Sequence, residues 1–81
     1  MYQYYVFEIQ KYPDGSYGDI THFAYDEDPD KARLKGESKY HQVLAAAAVS
    51  TLPEHGAVLM SSQCEPIEHK CYFHPQEGQA E

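Results

Sequence analysis

The chain has 81 residues, with 13 acids against 6 bases and a formal charge of −7. That length allows one domain, and that charge disfavours a nucleic-acid binder, because phosphate affinity is built from clustered Lys and Arg. Hydrophobic residues make up 42% of the chain, enough for a core, yet no apolar run approaches the roughly 18 residues of a membrane span. The start, Met1 to Val6, shows no basic segment leading into an apolar one, so a cytoplasmic protein with two free thiols is expected.

Tyr4 to Lys11 is β-branched and aromatic, with alternation that predicts a first strand. Tyr5, Phe7 and Ile9 make the bulkier face and are expected to point into the core; Tyr4, Val6, Glu8 and Gln10 take the other. Tyr12-Pro-Asp-Gly-Ser16 suits a type I turn closed by a glycine bulge. This turn sets Tyr12 against Ser16, hence Phe7 opposite Thr21 and Tyr5 opposite Phe23. A second strand from about Gly18 to Tyr25 then sends Thr21, Phe23 and Tyr25 inward. A slip of one residue would instead bury Ile20, His22 and Ala24.

Asp28 followed by Pro29 reads as an N-cap with proline at the first helical position. The helix is expected from Pro29 to about Ser50. Gly36 is its weak point, where a break would leave Glu37 to Ser50. Tyr40, Val43, Leu44, Ala47 and Thr51 form one apolar stripe at helical spacing. Ala45, Ala46, Ala48 and Val49 extend the apolar surface around it, which suits either close seating on a sheet or a helix-to-helix contact. Leu52-Pro53 ends the helix.

Gly56 to Ser61 predicts a third strand, Ser62 to Pro66 a turn, and Ile67 to Phe73 a fourth strand. Residues 75–81 read as a disordered polar tail beyond a domain of residues 1–74. The expected fold is α+β, ββαββ: a four-stranded antiparallel sheet in the order 2-1-3-4 with one helix on one face. That order centres the two most apolar strands.

The strings YYVFEIQ (Tyr4–Gln10), SKYHQVLAAAAVS (Ser38–Ser50) and HGAVLM (His55–Met60) carry a likeness. Together they resemble a family of small uncharacterised proteins of Gram-positive gut bacteria, often encoded near mobile elements. The likeness runs from Tyr4 to Cys71, and it implies no activity.

Cys64, His69, Cys71 and His74 have the side chains that zinc accepts. On a strand, however, His69 and Cys71 share a face that His74 does not, so no metal and no cofactor is expected. His41 and His55 would be joined by His22 only if the register slipped, and no carboxylate is seen to orient them. Tyr2, Tyr4 and Tyr12 lack the basic surround of a base-stacking platform.

A two-layer domain leaves one sheet face uncovered, expected to carry Tyr4 and Val6 beside either Val58 and Met60 or Ala57 and Leu59. Either that face or Ala45, Ala46, Ala48 and Val49 on the helix would form an interface. The expectation is a non-enzymatic interaction module, pairing with itself as a homodimer or with another protein, and contacting neither nucleic acid nor membrane. An acidic inhibitor or DNA mimic acting on nucleic-acid machinery is the second reading, and a small metal-binding or catalytic domain the third.

Overall fold

The computed structural model describes residues 1–74; the expected tail, residues 75–81, lies outside them. β1 (Tyr2–Lys11) and β2 (Tyr17–Asp26) form a hairpin, followed by α1 (Pro29–Ala48), β3 (Glu54–Met60) and β4 (Pro66–Phe73). All pairings are antiparallel and the strand order is β2-β1-β3-β4. The α+β class and the topology stand as expected.

The hairpin turn works through its chemistry. The Tyr12 N–H donates to the Ser16 carbonyl at 2.8 Å, and Gly15 takes φ +91°, which costs glycine little. The Asp14 carboxylate accepts from both the backbone N–H and the hydroxyl of Ser16, at 2.9 and 2.6 Å. The register follows: Phe7 faces Thr21 and Tyr5 faces Phe23.

The facing direction is the reverse of the one expected. Val6 and Leu59 are fully buried beneath α1, with Ala24 and Ala57, while Tyr5, Phe7, Ile9, Phe23 and Tyr25 lie on the open side. The two strands turned over together, so the pairing survived and the faces exchanged. The reason lies in the helix. Its buried positions are Ala32, Gly36, Tyr40, Val43 and Ala47, three of them alanine or glycine, and such a helix seats close. A row of Tyr5, Phe7, Phe23 and Tyr25 beneath it would hold it away from the sheet and open voids that a packed core does not tolerate.

This corrects the placing of Tyr4 and Val6 on the uncovered face: Val6 is sealed under α1 and Tyr4 packs against the same core. Met60, opposite Tyr5, does lie on the open face. The helix starts at Pro29 and runs unbroken through Gly36. The Asp28 carboxylate accepts from the N–H groups of Asp30 and Lys31, at 2.8 and 3.4 Å. It ends at Ala48, short of Ser50, so Thr51 falls beyond the stripe and is exposed. Lys35 fastens the N-terminal half to β2 through the Tyr25 carbonyl and the Asp26 carboxylate, each at 3.0 Å.

Candidate functional site

Two features could carry function: a polar cluster under the helix side of the sheet, and the apolar surface opposite. The cluster arises from the turned-over hairpin. Glu8 now faces the helix side, with His22 on β2 and His55 on β3 lying diagonally to either hand. Its Oε1 accepts from His22 Nε2 at 3.0 Å, and its Oε2 accepts from His55 Nε2 at 2.7 Å. Gln10 Nε2 adds a third donor at 3.2 Å, and the Tyr12 hydroxyl donates to Gln10 in turn at 2.8 Å.

An ionised carboxylate only accepts, which assigns the Nε2–H tautomer to both rings from their partner. Partial burial pushes the Glu8 carboxyl up. The hydrogen bonds from His22 and His55, with the charge those rings carry when protonated, outweigh it and hold the group below its ordinary range. His55 is buried, and its Nδ1 has no hydrogen-bond partner among the described residues.

Chemically this is a cross-strand tie. The two rings approach opposite oxygens of one carboxylate, so their nitrogens do not converge on a point where an ion could sit. Among the described residues no three His, Cys, Asp or Glu side chains are arranged to hold a metal ion.

The Cys64/His69/Cys71/His74 set is dispersed. Cys64 stands in the β3–β4 turn at φ +64°, and His74 lies past the far end of β4, a strand of eight residues spanning about 26 Å. His69 and Cys71 face the open side of the sheet, whereas His74 donates from Nε2 to the Ala47 carbonyl at 2.8 Å. Both cysteines are free thiols. His41 is exposed on α1, edge-on to Tyr40 at 5.5 Å. Ala45, Ala46, Ala48 and Val49 are exposed, so they do not seat α1 on the sheet.

The open face is the larger feature. Tyr5 and Phe7 stack at 6.2 Å, Phe23 meets Tyr5 edge-on at 5.6 Å, and Phe23 stacks on Tyr25 at 6.1 Å. Ile9, Val58 and Met60 continue the surface onto the centre of the sheet, and Phe73 closes it on β4. Phe23, Tyr25 and Phe73 are 52%, 47% and 72% exposed, values that belong to a surface rather than a core. The formal charges on this face are Lys11, Asp19 and Glu54, all at the hairpin-turn end. The sequence pattern assigned Tyr5, Phe7, Phe23 and Tyr25 to the interior, and it placed Phe73 only at the end of a fourth strand.

No protein-family model matches the chain, and comparisons with curated proteins and with solved structures give no match either.

Proposed function

We propose that the chain is a non-enzymatic protein-interaction module whose working surface is the open face of the sheet. The observation that carries this is the contiguous aromatic row of Tyr5, Phe7, Phe23 and Tyr25, joined to Val58 and Met60. Monomeric proteins rarely leave so continuous an apolar surface open, and such surfaces usually mark a partner site. The exposed alanines of α1 offer less area per residue and no aromatic anchor, and aromatic anchors carry most interface energy.

The distribution of acids favours this reading over a DNA mimic. A mimic needs a row of free carboxylates, whereas here many are engaged locally. Asp14 holds Ser16, Asp26 holds Lys35, Asp28 caps the helix, Glu37 pairs with Arg33, and Glu8 binds two histidines.

The test is affinity purification from the native host with three baits: wild type, Phe23→Asp and Ala46→Glu. A protein recovered with wild type and Ala46→Glu but lost with Phe23→Asp supports the open face. Loss with Ala46→Glu alone would move the surface to the helix and overturn the reading.

A further inference from the structure

We infer that the occupant of the open face is a second copy of this chain, packed sheet on sheet about a two-fold axis parallel to the strands. This rests on the interaction-module reading and adds the partner and its register.

Charge argues for it first. Two copies each carrying −7 repel, and they approach with least penalty through their least charged surface. Among the described residues the open face holds one base and two acids, and its centre, from Tyr5 to Phe7 and across to Val58 and Met60, holds none. Area is adequate. Four strands about 4.8 Å apart and 7–10 residues long give a footprint of roughly 450–600 Å² per copy, so a pair reaches the total of about 1,000 Å² that marks a specific interface.

The sheet order then selects the axis. In β2-β1-β3-β4 the midline falls between β1 and β3. Rotation about an axis along that midline lays β1 of one copy over β3 of the other at the same height. Tyr5 comes to face Met60, Phe7 to face Val58, and Lys11 to face Glu54, because these are already level within one chain. Each pairing occurs twice, as two-fold symmetry requires.

Lys11 and Glu54 are placed for this exchange. Within the chain the Lys11 ammonium lies 5.4 Å over the Tyr17 ring, and the Tyr17 hydroxyl reaches Glu54 Oε1 at 3.3 Å. Among the described residues Lys11 has no carboxylate at ion-pair distance, so its charge is open to the partner's Glu54. The result is a closed sandwich with aromatic and aliphatic rows inside, the two helices outside, and an ion pair at each side of the turn end.

Sedimentation equilibrium over a hundredfold concentration range tests the arrangement, with circular dichroism to confirm that each variant is folded. Wild type should pass from monomer to dimer, and Phe23→Asp should remain monomeric throughout. Lys11→Glu and Glu54→Lys should each weaken the dimer at least threefold, and the double exchange K11E/E54K should restore it. A wild type that stays monomeric overturns self-association, while the bait experiment above still decides whether the face binds something else. A dimer indifferent to Phe23→Asp overturns the open face as the dimer surface, and the bait experiment again decides whether that face binds another protein. Failure of the double exchange to rescue overturns the inferred axis.

Discussion

Gly36 on α1 lies directly over Tyr4 on β1: a Cβ built on the glycine would stand 2.9 Å from the Tyr4 Cβ and 3.3 Å from Leu59 Cδ1. Alanine is the better helix former by about 1 kcal/mol, so in an open helix Gly36→Ala would stabilise. Here the nearest atom is a Cβ fixed to the strand backbone, and it cannot move without moving β1. The substitution is therefore expected to lower the melting temperature, and a rise would show that the helix rides higher than described.

Leu59→Ala should cost about 2–5 kcal/mol, the usual range for emptying a sealed leucine site. Phe7→Ala should cost less, because Phe7 is only half-buried and sits on the open face. Urea midpoints on protein dilute enough to be monomeric make the comparison. The opposite ranking would return the aromatic row to the interior.

The same two residues show how far the sequence could be read. Tyr12 to Ser16 encodes its turn in local chemistry, so the pairing of Phe7 with Thr21 was legible from five residues. Which side of that hairpin faces inward is not local. It depends on the depth of the helix that arrives later, and burying the bulkiest face was the wrong criterion beside Ala32, Gly36 and Ala47. The His22–Glu8–His55 tie was hidden by the same choice. Its signal was present in the derived register, where an acid on the Val6 side lies diagonal to a histidine. The open aromatic face was legible as residues and illegible as a surface.

Glu8 should make stability depend on acid. Its carboxyl lies below the ordinary value of 4.5 in the folded chain, so the unfolded chain binds more protons as the pH falls. The stabilisation is complete above that ordinary value and is lost as the pH drops through the folded one. Wild type should exceed Glu8→Gln in urea midpoint near neutrality, and the gap should narrow progressively below about pH 4.5. A gap that stays constant down to pH 3 would mean that the carboxylate is not engaged by His22 and His55.

The two thiols should react unequally. Partial burial pushes the Cys71 thiol up, and the neighbouring Glu54 carboxylate adds to it, so little thiolate is available there. Both cysteines lie exposed, Cys64 in its turn, so the difference rests on the raised Cys71 thiol. Alkylation followed by mass spectrometry should label Cys64 first, and two groups should titrate in total without reductant. Faster labelling of Cys71 would contradict its placing beside Glu54.

The strand order also governs how the chain reaches this structure. β1–β2 and β3–β4 are hairpins whose partners are near neighbours, but the seam between β1 and β3 joins residues such as Glu8 and His55, 47 positions apart. A two-stranded hairpin is marginal in water by itself, and neither half encloses a core until the seam closes around α1. The late, entropically expensive closure of that central seam should limit the folding rate. It also couples the halves, so each hairpin alone should fail to fold and unfolding should proceed as a single step.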